Sequence, residues 1–197
     1  MTALDNFHPL PLASLASLAG TPHLPAPGQK ATLADPATSQ LTDLRHAPCV
    51  TADHLDGVGP TLHVMLRAHV RMAFVTGVGG SLLGLVTSDD LQGERPLQRA
   101  MADHVRHQDL TLEQLMTPTA QWQVVDAREV EHARVGHVVS TMRAHGLRYL
   151  LVVDRSGGEP VVCGVFSARR LEMALGIELG TDLQSRSFAE LEAALVA

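Results

Sequence analysis

Thr87 and Asp90 stand three residues apart in Gly84-Leu85-Val86-Thr87-Ser88-Asp89-Asp90, at the end of an apolar run. A hydroxyl and a carboxylate at this spacing form a capping box, each side chain accepting from a backbone N–H in the first turn of a helix. Gly164-Val165-Phe166-Ser167 repeats the hydroxyl, but three residues on stands Arg170, preceded by Arg169. A guanidinium donates and cannot accept, so the two places differ in chemistry. Eleven histidines raise the question of metal binding. His104 and His107, with Asp103 beside them, fit a solvated helix surface better than a closed coordination shell, and no metal is expected. His69 and His145 close predicted helices, where a partly positive group is favoured. Cys49 and Cys163 lie in apolar, strand-like runs and read as small buried hydrophobes. There is no Gly-x-x-x-x-Gly-Lys-Ser/Thr loop and no nucleophile–base pairing at a recognisable spacing, so no catalytic residue is assigned and no enzyme is expected.

The elements that must position these residues come from a chain that is 45% hydrophobic and 18% charged, the balance of a globular protein. Aromatic residues make up 3%, so the core must be aliphatic. A net charge of −6 without a basic stripe argues against a nucleic-acid partner. No apolar run approaches the roughly 20 residues that cross a bilayer, and Leu10–Gly20 lacks a positive segment before it, the first basic residue being Lys30. A cytoplasmic protein without membrane contact is expected.

An internal repeat organises the chain from about residue 37. Thr42 matches Thr117, 75 residues on; Arg67-Ala68-His69 matches Arg143-Ala144-His145, 76 on; Gly84 matches Gly164, 80 on. Slowly growing offsets mean one ancestral unit with short insertions. Each unit reads as a short strand (Pro48-Cys49-Val50; Gln123-Val124-Val125), a helix, a hairpin and a last helix after Thr87 or Ser167. Val58, Leu62, Met65 and Leu66 share one helical face, as do Val135, Val138, Val139 and Met142. Asp126 and Glu129 suggest a capping box for the latter helix. The hairpins pair 71–75 with 82–86 and 149–153 with 161–166 across Gly-rich turns.

Five segments follow: an irregular Pro-rich arm over 1–36, a first repeat over 37–92, a polar linker helix over 93–114, a second repeat over 115–176 and a tail over 177–197. Phe188, Leu191 and Leu195 make the tail a short amphipathic helix.

The duplicated β-α-β-β-α order resembles the CBS-domain family, named after cystathionine β-synthase. The motifs that carry the resemblance are Met116-Thr117-Pro118, Gly84 to Asp90, and Tyr149-Leu150-Leu151-Val152-Val153-Asp154, within about 38–176. It implies an α+β fold of two pseudo-symmetric repeats packed sheet against sheet, commonly dimerised as a disk. It also implies a cleft between repeats that binds AMP, ADP, ATP or an S-adenosylmethionine-type ligand. On this resemblance Thr87 and Asp90 would grip the ribose, since a carboxylate can accept both hydrogens of a vicinal diol. Pro48, Val50, Arg71, Met72 and Ala73 would line the adenine. Ser167 keeps the hydroxyl in the second repeat, but Arg170 cannot accept from a ribose diol, so the second cleft is expected to lack normal nucleoside binding, with Arg169 or Arg170 either reaching the phosphates of a ligand held by the first cleft or standing solvated. One nucleotide per chain is therefore expected. With little length left for a catalytic domain, the expectation is a stand-alone regulatory homodimer that signals to a separate effector protein. The alternative is a ligand-free pair serving as a dimerisation or docking scaffold.

Overall fold

The computed structural model describes residues 30–47 and 49–180. Its strands are β1 (Thr42–Asp43), β2 (Thr51–Asp53), β3 (Met72–Thr76), β4 (Leu82–Thr87), β5 (Thr117–Pro118), β6 (Val124–Asp126), β7 (Tyr149–Asp154) and β8 (Val161–Ser167). Its helices are α1 (Val58–Arg67), α2 (Ser88–Gln92), α3 (Arg95–Asp103), α4 (Leu112–Leu115), α5 (Ala127–His132), α6 (Val135–His145) and α7 (Ala168–Leu175). The segment up to residue 29, Pro48 and residues 181–197, over which the sequence predicts a tail helix, lie outside the described residues.

Both hairpins form as the alternation predicts. Successive side chains in a strand point to opposite faces. Ala73, Val75 and Val86 therefore face α1 and α2 in a first core, while Phe74 and Leu85 face the other way. In the second repeat Leu150, Val152 and Phe166 face helices, while Leu151 and Val165 face back. Phe74, Leu85, Leu151 and Val165 meet in a third cluster, which packs the two sheets face to face. This is the α+β arrangement that the repeat implies.

The sheets are joined crosswise. Their orders are β2-β3-β4-β5 and β1-β8-β7-β6. The leading strand of each repeat therefore completes the other repeat's sheet: β1 pairs antiparallel with β8, and β5 with β4. The exchange explains both motif glycines. A Cβ at Gly84 would lie 2.7 Å from the Thr117 carbonyl and 2.8 Å from the Met116 sulfur. A Cβ at Gly164 would lie 2.7 Å from Leu41 Cδ1. Gly84→Ala is expected to destabilise by about 1–3 kcal/mol, the cost of overpacking against backbone that cannot move aside. Gly164→Ala is expected to cost less, because a leucine tip can turn away. Urea denaturation of both variants checks the ranking, and equal losses would contradict it.

Several expectations are corrected. Leu66 is 57% exposed, and the buried face of α1 runs through Val58, Thr61 and Met65 instead. Thr61 fits there because its hydroxyl donates to the Gly57 carbonyl at 2.9 Å, leaving no unsatisfied polar atom. Cys49 is exposed, whereas Cys163 is buried and burial pushes its thiol up. The first short strand lies at Thr51–Asp53, one step beyond Val50, whose carbonyl accepts from Phe74 N–H at 2.9 Å. Asp126 caps the short α5, accepting from Arg128 N–H at 3.0 Å. The helix it was expected to cap, α6, starts later, where Arg134 N–H donates to His137 Nδ1 at 3.0 Å.

Candidate functional site

Thr87 and Asp90 form the capping box at the start of α2. Asp90 Oδ2 accepts from Thr87 N–H at 2.9 Å and from the Thr87 hydroxyl at 2.8 Å, while Asp90 N–H donates to Thr87 Oγ1 at 3.2 Å. Arg95 donates to the other carboxylate oxygen, Oδ1, at 2.5 Å. Both oxygens of the carboxylate are thus engaged within the chain.

In the second repeat Ser167 is the N-cap of α7, and its hydroxyl makes no capping hydrogen bond. Arg170 turns away from this point and donates to the Thr42 hydroxyl at 2.9 Å. The residue that replaces the acid of the first repeat therefore fastens β1 to the sheet it has joined.

A cleft of about 430 Å³ opens between the starts of α2 and α7, lined by Arg71, Asp89, Arg148, Tyr149, Ser167 and Arg169 among others. Matching backbone bonds build its two sides. Ser88 N–H donates to the Arg71 carbonyl and Ala168 N–H to the Arg148 carbonyl, both at 2.9 Å. An ion pair between Arg148 and Asp89 joins the repeats across it. Burial is the main cause that raises the Tyr149 phenol above its ordinary value, and the Asp89 charge adds to it. A second hollow of about 180 Å³ shares Arg148 and Tyr149 with the cleft and has an apolar lining that includes Leu85, Trp122, Leu147 and Leu151. Trp122 is held there by its indole N–H, which donates to the Thr117 carbonyl at 3.0 Å, and by a tilted contact with Phe74 at 6.1 Å.

Of the residues singled out from the sequence, Arg71 and Ser167 line the cleft; Thr87, Asp90 and Arg170 do not. Ala73 is fully buried in the first core and Val50 packs against it, while Met72 packs into the inter-sheet cluster. Pro48 lies outside the described residues. Arg169, which the sequence offered together with Arg170, also lines the cleft, whereas Asp89, Arg148, Tyr149 and Trp122 were not singled out as site residues. The available signal was rarity, since the chain has one Trp and one Tyr and both stand at these hollows. Asp103 accepts from Arg99 at 2.8 Å and from Gln114 at 2.9 Å. Among the described residues no group of three or more His, Cys, Asp or Glu side chains converges on one point.

No protein-family model matches the sequence, and no curated protein matches it. Solved structures do. An uncharacterised conserved protein from Pyrococcus horikoshii is 17% identical, with a TM-score of 0.52 over 73% of this chain and 94% of that one. The CBS domain pair of MJ0100, in complex with 5′-methylthioadenosine and S-adenosyl-L-methionine, is 20% identical, with a TM-score of 0.49 over 74% and 96%. CBSX2 in complex with AMP is 19% identical, with a TM-score of 0.48 over 71% and 95%. At these identities the likeness concerns the fold. What they share with this chain is that fold: two four-stranded sheets joined crosswise, with a cleft between the repeats.

Proposed function

We propose that this chain is a non-catalytic regulatory module that binds an adenine-containing ligand, AMP, ADP, ATP or an S-adenosylmethionine-type molecule, in the cleft between its repeats. The binding would be read by a separate effector protein. One observation carries the reading: a cleft with guanidinium groups and a serine hydroxyl opens beside an apolar, aromatic-lined hollow. Arginine forks suit phosphate or carboxylate groups, and the apolar hollow suits a flat base. Two of the similar structures hold adenosine compounds, which agrees with this reading. No helix among the described residues is long and apolar enough to cross a membrane.

A ligand that binds only the folded chain is expected to raise its melting temperature, by the equivalent of about 2.7 kcal/mol at a hundredfold excess over Kd. It should also change the fluorescence of Trp122, the chain's single tryptophan. Thermal unfolding with AMP, ADP, ATP and S-adenosylmethionine tests this. Asp90→Ala is expected to cost about 1 kcal/mol, the scale of a lost cap, and to retain the ligand-induced rise, because its carboxylate already serves Thr87 and Arg95. The same engaged carboxylate favours a second reading, a ligand-free scaffold for dimerisation or docking. A stable dimer with no thermal response to any of the four compounds would select it.

A further inference from the structure

Each repeat is sealed by the segment that leads into the other. For the first repeat this is 110–115: Leu112 N–H donates to the Asp56 carbonyl at 3.0 Å, and Thr111 bridges to Gly57 just before α1. Residues 35–40, which stand 75 positions earlier, do the same for the second repeat. Ala37 N–H donates to the Ala133 carbonyl at 3.0 Å, and Pro36 bridges to Arg134 just before α6. With 31–34 these residues form a strap that also closes the start of α6, whose first N–H groups have no partner within the helix. Val135 N–H donates to the Asp35 carbonyl and Gly136 N–H to the Leu33 carbonyl, both at 2.9 Å. The Arg134 guanidinium donates to the Ala34 carbonyl. Ala31 N–H donates to the Ala174 carbonyl at 3.0 Å, so the strap ties the start of α6 to the end of α7.

The two seals differ in what they bury. Leu110, Leu112 and Leu115 are each at most 1% exposed in the first core. The matching positions of the strap are Asp35, Ala37 and Gln40, and Ala37 is the one buried residue between 30 and 40. The Asp35 carboxylate is used within the strap, accepting from Thr32 N–H and from the Thr32 hydroxyl, both at 2.8 Å. A segment held by backbone hydrogen bonds, with few buried apolar contacts, opens at a free energy well below that of the whole fold. We propose that residues 31–37 are a releasable strap, which opens locally over the second repeat while the seal of the first repeat stays shut until the chain unfolds. The open form uncovers the Ala133 carbonyl and the first N–H groups of α6, and it frees the start of α6 from the end of α7. This device is independent of what the cleft binds.

Native-state hydrogen exchange of the full chain, read residue by residue by NMR, tests this. The amides of Ala37, Val135 and Gly136 report the strap, and those of Leu112 and Glu113 report the other seal. After correction for intrinsic rates, the strap amides are expected to exchange at least about thirtyfold faster than the other pair, the low end of what a buried leucine adds over an alanine. Low denaturant is expected to leave the strap rates unchanged, since little surface opens, while the Leu112 and Glu113 rates climb with global unfolding. Equal protection in the two sets would overturn the proposal. Gly136→Ala gives a second reading. A Cβ there would lie 3.2 Å from the Leu33 carbonyl, so it presses on the strap, whereas alanine favours the helix itself. Ala37 and Val135 are then expected to exchange at least about fivefold faster than in the unaltered chain, with Leu112 and Glu113 unchanged. Acceleration of both sets alike, or of neither, counts against the strap. If this variant does not fold, the comparison within the unaltered chain decides alone.

Discussion

Phe166→Ala is expected to lower the unfolding free energy by about 3–5 kcal/mol, the range of large aromatic truncations in a closed core. For a chain of this length that corresponds to a fall in Tm of roughly 6–20 °C. Phe166 is 0% exposed and stands on β8 amid Val135, Val138, Val139, Met142, Leu150 and Leu171. These neighbours come from three other elements, α6, β7 and α7, so no single shift can close the space that the ring leaves. The equivalent residue of the first repeat is Val86, and the equivalent of Leu150 is Ala73. The two cores thus fill the same frame differently, the second with bulk on its own strands. Phe166→Leu should recover much of the loss, because it keeps most of the volume. Urea denaturation followed by circular dichroism measures both, and a loss below about 1 kcal/mol in Phe166→Ala would show that the surroundings collapse into the site.

The duplication was legible because it lives in local pattern. Hairpins alternate, α6 keeps its spacing through Val135, Val138, Val139 and Met142, and the two motif glycines recur. The crosswise sheets were not legible. Nothing within Thr42–Asp43 tells which sheet it will join, since that depends on β8 more than a hundred residues later. Leu66 misled because a leucine at helical spacing outranks a threonine on any hydropathy pattern, yet Thr61 satisfies its hydroxyl on Gly57 and takes the buried place.

The site was less legible than the fold for a related reason. The pattern Thr87-x-x-Asp90 signals a capping box and a ligand site equally, and the second partner of the Asp90 carboxylate, Arg95, lies beyond Gly93 and outside any motif. The ion pair between Asp89 and Arg148 joins residues 59 positions apart. Arg71 and Ser167 were reached through the resemblance, which put Arg71 at the adenine wall and Ser167 at the hydroxyl position of the repeated pattern. Asp89 and Arg169 look like ordinary solvated helix charges until the two repeats are set face to face.

The second large effect falls on the segment between the repeats. Its charged composition reads as a polar linker helix over 93–114, but the structure places its Ala100, Leu110 and Leu112, with Leu115 just beyond it, in the first core beside Met65, Val75 and Val86. These leucines supply the bulk that Ala73 and Val86 lack. The segment is also held by backbone bonds: Leu112 N–H donates to the Asp56 carbonyl at 3.0 Å and Glu113 N–H to the His54 carbonyl at 2.9 Å. Thr111 N–H donates to Gln114 Oε1 at 2.9 Å at the start of α4, and Gln114 reaches back to Asp103. Leu112 is 0% exposed. Leu112→Ala is therefore expected to cost about 2–5 kcal/mol, the range for a buried leucine. Leu97→Ala, on α3 at 58% exposure, is expected to change stability by less than about 0.5 kcal/mol. A tether would make both substitutions neutral, so equilibrium denaturation of the pair distinguishes a tether from a packed element. If Leu112→Ala unfolds the chain in one transition with a reduced midpoint, the connection is structural and the first repeat cannot fold without it. That outcome would also mean that any movement between the repeats must pivot beyond Leu115, where β5 crosses to pair with β4.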